Sequence, residues 1–270
     1  MQRLLGSKRH AKVIAALICL TVGVVGFYPA QVRSESKLKS SSATGSLNPV
    51  AIVEAADRIR FPSDAFQVAV KVTNRVAGKN PDRREYQILS KGNARTVVRT
   101  LKPAAEAGQI MLMRERELWI FLPSVSQPVR MPLSQKLTGQ VANGDLARAN
   151  FTGDYTPKLV RTEEMNSKAL FVLELTAVDR SVTYQKVIYW VEQRTMRPHK
   201  AEFYTVSGRL MKTCRYEDFK TMEGAVRPTK LVMQDALKTG EHSEMVYTGM
   251  KRRGLPDKIF TKDYLKKLQQ

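Results

Sequence analysis

Residues 66–73 read Phe-Gln-Val-Ala-Val-Lys-Val-Thr. Apolar side chains fall at 66, 68, 70 and 72, with polar or small residues between them. Successive side chains of a strand point to opposite faces, so this period of two marks a strand with one buried face. The pattern returns at 85–90, 95–101, 109–113, 118–122, 155–160, 170–177, 184–193, 200–206, 210–219, 229–234 and 244–249. Turn signals separate most of these runs: Lys91-Gly92-Asn93, Ala107-Gly108, Arg197-Pro198, Ser207-Gly208, Glu223-Gly224 and Thr239-Gly240. About 11–12 short strands in succession predict a mainly β (α+β) fold, an incomplete, strongly curved antiparallel β-barrel.

Outward from that first strand, Asn48-Pro49 supplies a helix cap and a first-turn proline. Ile52, Val53, Ala55, Ala56 and Ile59 follow at helical spacing, Glu54, Asp57, Arg58 and Arg60 occupy the remaining positions, and Phe61-Pro62 ends the run. This predicts one amphipathic helix over 49–60. The strand rhythm breaks at 124–150, rich in Gly, Pro, Ser and Gln, where short helices or a long loop are expected across the sheet. A second short helix is expected at 261–269. A large curved sheet with so few lid helices encloses an apolar concavity. Its expected lining is Phe66, Val68, Val70, Val72, Trp119, Phe121, Phe171, Leu173, Leu175, Val187, Tyr189 and Val191. These side chains either leave room for a small apolar ligand or pack on one another; the pattern alone allows both. The charged stripe of Lys186, Glu192, Lys200, Glu202 and Lys212 is expected on the solvated convex face.

The N-terminus reads as an address. Arg3, Lys8, Arg9 and Lys12 precede an uncharged run at 13–27, Val-Ile-Ala-Ala-Leu-Ile-Cys-Leu-Thr-Val-Gly-Val-Val-Gly-Phe. A basic start followed by an apolar stretch of this length has the form of a secretory signal, and is short for a membrane span. A cut after Ala30 fits, although Tyr28 is bulky for the third place before it; an uncleaved anchor is the alternative. Cys19 follows Ile18, which is not the small residue a lipidation site requires. The expected organisation is a signal or anchor at 1–30, a Ser-rich linker at 31–47 and one domain at 48–270, exported to the periplasm.

The chain holds 270 residues, 45 Lys and Arg against 25 Asp and Glu, for a net charge of +20. Such a balance points to an anionic partner, nucleic acid or membrane. Export favours the membrane, because anionic head groups are what a basic exported protein meets. Two cysteines exclude a disulfide-dense scaffold, and removal of the signal leaves only Cys214.

Enzyme signatures fail one after another. His10, His199 and His242 form no close ligand pair, so no metal is expected. There is no Gly-x-Ser-x-Gly elbow and no Gly-x-Gly-x-x-Gly. The run from Gly139 to Asp145 has phosphate-loop spacing, but Asp stands where a phosphate-binding Lys belongs. A lone Cys214 inside an alternating strand reads as core rather than nucleophile. Nothing implies a cofactor.

Some longer stretches are more specific. Leu118-Trp-Ile-Phe-Leu-Pro-Ser-Val-Ser-Gln-Pro-Val-Arg130 is followed by Ser134-Gln-Lys-Leu-Thr-Gly139, Gly144-Asp145 and Asn150-Phe-Thr-Gly-Asp-Tyr155. Further on come Tyr189-Trp190-Val-Glu, Arg197-Pro-His-Lys-Ala-Glu202 and Gly254-Leu-Pro-Asp-Lys-Ile-Phe260-Thr. Over about residues 50–268 the chain resembles the outer-membrane lipoprotein-sorting family, the LolA-like periplasmic carriers, and within it the branch of the treponemal LolA-like lipoprotein domain. The resemblance implies an open antiparallel barrel lidded by helices over a cavity for lipoprotein acyl chains or free lipid. It also implies a possible inner-membrane transporter of RND or ABC type as partner. It places Leu122, Pro123, Arg130, Asp145 and Tyr155 in the family motif, where Arg130 and Asp145 are expected to pair and fix the lid. A monomer without nucleic acid is expected. The alternative is a periplasmic sensory or structural module, or a transporter accessory protein, with a self-filled core.

Overall fold

The computed structural model describes residues 48–267. The signal-like segment, the Ser-rich linker and residues 268–270 lie outside the described residues.

Helix α1 (Pro49–Arg60) has the bounds the sequence predicts. Asn48 caps it by accepting a hydrogen bond from Val50 N at 3.0 Å, and Phe61 ends it in extended conformation. The chain then runs through β1 (Phe66–Arg75), β2 (Asp82–Lys91), β3 (Arg95–Lys102), β4 (Ile110–Arg114), β5 (Glu117–Phe121) and β6 (Val129–Met131). A covering excursion holds the small hairpin β7 (Lys136–Thr138) and β8 (Val141–Ala142), then α2 (Asn143–Ala147). Strands resume with β9 (Tyr155–Met165), β10 (Lys168–Ala177), β11 (Lys186–Glu192), β12 (Pro198–Tyr204), β13 (Leu210–Met222), β14 (Ala225–Asp235) and β15 (His242–Arg252). A 3₁₀ turn (Asp257–Phe260) and α3 (Lys262–Lys267) close the described chain.

Apart from β7 and β8, all strands form one thirteen-stranded antiparallel sheet. Its centre is the pairing of β1 with β15, in which Val70 faces Tyr247. From β1 the sheet runs outward through β2 to β6, and from β15 it runs back through β14 to β9. Edges β6 and β9 do not meet, so the barrel is open as expected. The twelve strands read from sequence are present; β6 is the thirteenth, hidden in the Gly- and Pro-rich 124–150 stretch.

The concave face carries the main core. Val68, Val70, Val72, Leu173, Leu175, Val187, Tyr189 and Val191 are fully buried there, and Ile52, Val53 and Ala56 of α1 plug the centre. Burying each such aliphatic side chain stabilises the fold by about 1.5–3 kcal/mol. A second, smaller core lies on the convex face. Val97, Ile110, Leu112 and Phe121 pack there beneath Leu255, Phe260 and Leu265 of the C-terminal strap.

That second core corrects the phase read for β5. Leu118 and Ile120 face the main core, and Trp119 and Phe121 pack under the strap. The run from Leu118 to Phe121 is apolar on both faces, so alternation could not fix which face is which. Lys262 Nζ sits 3.8 Å from the Trp119 ring centroid, a cation–π contact that holds the strap down.

Candidate functional site: the lidded concavity

Ten of the twelve expected lining residues come together: Phe66, Val68, Val70, Val72, Phe171, Leu173, Leu175, Val187, Tyr189 and Val191. Their parity on β1, β10 and β11 decides this, because residues two apart share a face. Trp119 and Phe121 do not join them. Residues 132–154 fold over the concavity as a lid, burying Leu133, Val141, Leu146 and Phe151 in the same core. Side chains fill most of the interior, and a cavity of about 240 Å³ opens beside the β7–β8 hairpin, against Gln140, Val141, Tyr184 and Lys212. A void of about 30 Å³ lies against Phe61, Val68, Ile88 and Tyr247, and another of about 20 Å³ against Arg60, Tyr216 and Leu231. Each has room for about one water.

Two charged side chains of α1 hold the lid from inside. Asp57 Oδ2 accepts from Phe151 N at 2.9 Å, Thr152 N at 2.7 Å and Thr152 Oγ1 at 2.7 Å. Burial is the largest influence on this carboxyl and raises it above the usual range, while Arg60 and the Thr152 and Phe151 donors pull the other way. Arg60, one turn on, is 6% exposed, with its guanidinium carbon 5.1 Å from the Phe151, 5.4 Å from the Tyr216 and 5.6 Å from the Phe61 ring centroids. Asp57 and Arg60 thus lie on the buried face of α1, not among its solvated positions as expected. Their spacing from Val53 and Ala56 (i, i+3, i+4, i+7) was the available signal, masked by their charge.

Farther along, the lid is tied at both ends. Asp154 is 2% exposed and takes Arg116 Nε at 2.8 Å and Arg148 Nη2 at 2.8 Å. At the hairpin β7–β8, Gln140 N donates to Ser243 Oγ at 2.8 Å, and Asn74 Nδ2 donates to Thr138 Oγ1 at 2.6 Å. Gly139 turns there at φ 50°, against Asn74 Oδ1 and Ser243 Oγ, where a Cβ would collide.

The expected Arg130–Asp145 pair is not formed. Arg130 reaches Glu117 at 2.8 Å on the exposed β5–β6 ladder. Asp145 instead accepts from Lys212 Nζ at 2.9 Å and Tyr184 OH at 2.8 Å, and from Ala142 N at 2.8 Å. Lys212 also donates to Gln140 O. Lys212, expected on the convex face, is 5% exposed and points inward, in phase with buried Cys214 and Tyr216. That shared parity was legible; the charge argued against it. Tyr155 is buried edge-on to Phe151 at 5.4 Å, whereas Leu122 is half-buried and Pro123 exposed.

Several polar atoms in this core have no hydrogen-bond partner among the described residues: Asp57 Oδ1, Arg60 Nη1, Tyr86 OH, Tyr189 OH, Tyr247 OH and Asn150 Oδ1. Arg60 Nη1 and Asp57 Oδ1 are 3.5 Å apart, too far for a good hydrogen bond. Cys214 is fully buried, and burial pushes its thiol up to about 12, so at neutral pH it is a small apolar side chain. Among the described residues no group of His, Cys, Asp and Glu could hold a metal ion, and no helix is long and apolar enough to cross a membrane.

A family model described as that of an uncharacterized protein matches residues 92–267. The crystal structure of a LolA superfamily protein from Nitrosomonas europaea has 58% sequence identity and a TM-score of 0.78, covering 81% of this chain and 99% of that one. An outer membrane lipoprotein-sorting protein domain from Vibrio parahaemolyticus has 21% identity and a TM-score of 0.70, over 81% of this chain and 98% of that one. A DUF1329 family protein from Desulfovibrio piger has 20% identity and a TM-score of 0.68, over 81% and 99%. At such identities the last two share the fold alone. No curated protein matches the chain.

Proposed function

Because this chain belongs to the LolA superfamily, we propose that it is a periplasmic carrier, taking lipid or lipoprotein acyl chains into the concavity beneath its lid. It would pass them to or from a membrane partner, an RND- or ABC-type transporter, in outer-membrane sorting. The carrying observation is one continuous apolar core shared by a curved sheet and a separable lid. The lid meets the sheet through side chains and a few polar latches, so it can lift without breaking the sheet's ladder. Each acyl CH₂ that enters gains about 0.8 kcal/mol. Without the four basic residues of the signal segment the net charge of +20 falls to +16, which still favours docking at anionic lipid or at an acidic partner face. No step requires a catalytic group.

The test is organic extraction of the protein purified from its own cells, followed by mass spectrometry. Stoichiometric lipid supports the carrier. Repeated extracts without lipid, with no uptake of a fluorescent fatty acid, overturn it. The small residual voids favour a second reading, a periplasmic structural or sensory module with a permanently filled core. That module would bind no lipid at any concentration.

A further inference from the structure

We propose that Arg60, Tyr189 and Tyr247 form a buried head-group site for the carboxyl end of a free fatty acid, which enters the concavity head first. This rests on the carrier reading and names the ligand class for it. Buried polar atoms are normally paired, because an unpaired one loses its hydration with nothing in return. Here Tyr247 OH and Asn150 Oδ1 have no hydrogen-bond partner in the core, and Arg60 Nη1 and Asp57 Oδ1 meet only as an ion pair at 3.5 Å. Tyr189 is 0% and Tyr247 3% exposed; both lie within electrostatic reach of the Arg60 guanidinium, which the Tyr189 hydroxyl also approaches as a weak hydrogen-bond partner, while the Tyr247 hydroxyl has none.

The unpaired set contains both kinds of group. Arg60 Nη1 and the two hydroxyls donate, while Asp57 Oδ1 and Asn150 Oδ1 accept. A protonated carboxyl satisfies both: its oxygen accepts from Arg60 and a tyrosine, and its O–H donates to Asp57 Oδ1. Retaining the proton leaves the Asp57–Arg60 charge balance unchanged, as burial requires. A phosphate head cannot shed its charge, and the other buried cations nearby are already engaged. Lys212 serves Asp145, and Arg227 serves the carbonyls of Arg58 and Ile59. The two voids flank this group. Arg60 lines one and Tyr247 the other, and Ala149 and Asn150 wall both.

The test compares cis-parinaric acid with its methyl ester, which keeps the chain and loses the donor. Binding to the full chain is followed by fluorescence for the wild type and for Tyr189→Phe/Tyr247→Phe. Those substitutions keep both rings and remove only the hydroxyls, and circular dichroism checks that the fold is retained. The expected result is an acid bound at least tenfold tighter than the ester by the wild type. In the double variant the acid weakens about tenfold and the ester is unchanged. Equal binding of acid and ester, or a double variant that keeps its preference for the acid, overturns the head-group site but leaves the carrier standing. Binding of neither probe overturns both.

Discussion

Asp57 and Arg60 lie one turn apart on α1 and both face the interior, with Arg60 Nη1 3.5 Å from Asp57 Oδ1. The remaining Asp57 oxygen takes three donors from the lid, so one helix joins a buried charge pair to the closure of the concavity. Asp57→Ala therefore strands a buried guanidinium and two backbone N–H groups. It is expected to destabilise the protein by about 3–5 kcal/mol, measured by urea unfolding. Amide exchange at Phe151 and Thr152 should accelerate more than exchange in β10 and β11.

Gly139→Ala places a Cβ against Asn74 Oδ1 and Ser243 Oγ at a positive φ. The expected cost is about 1–3 kcal/mol. It should appear as a looser β7–β8 hairpin in amide exchange, with β1–β15 exchange unchanged.

Lys212 and Asp145 form a buried pair between β13 and the lid. Breaking it from either side is expected to cost about 3–5 kcal/mol. Lys212→Met with Asp145→Asn should cost less than the two single changes added, with a coupling of about 0.5–3 kcal/mol in a double-mutant cycle. Additive losses would show that the two act independently.

Hydrogen bonds from Lys91 and Arg95 hold the Asp257 carboxyl below the usual carboxylate range. A carboxyl depressed in the folded state contributes stability above its unfolded value, and that contribution is lost as pH falls through the depressed one. The strap is therefore expected to loosen below about pH 4. Trp119 fluorescence, followed in a Trp190→Phe background because Lys262 stacks on Trp119, should change in that range. Asp257→Asn should abolish the change.

The alternation at Phe66–Val72 made the strand succession legible, and Asn48-Pro49 made α1 legible. Charge and hydropathy are imperfect guides to the direction in which a side chain points. Asp57, Arg60 and Lys212 are charged yet point inward, because pairing within the core compensates their burial. Trp119 and Phe121 are apolar yet point outward, because the C-terminal strap covers them. Strand and helix periodicity carried the correct direction in most of these cases. Only β5, apolar on both faces, gave no phase at all. The lid between 124 and 150 is recognisable as a break in rhythm, but its latches to the rest of the fold join residues from 38 to 103 positions apart, separations no local pattern encodes.

Lipid uptake requires the lid to separate from the sheet while the sheet itself stays folded. Hydrogen exchange at Phe151 and Thr152, with and without cis-parinaric acid, tests it most directly. These amides are expected to open well before the sheet unfolds, and the acid to change their exchange while β10 and β11 stay protected. Lid amides that exchange only with global unfolding, and that do not respond to the acid, would contradict it.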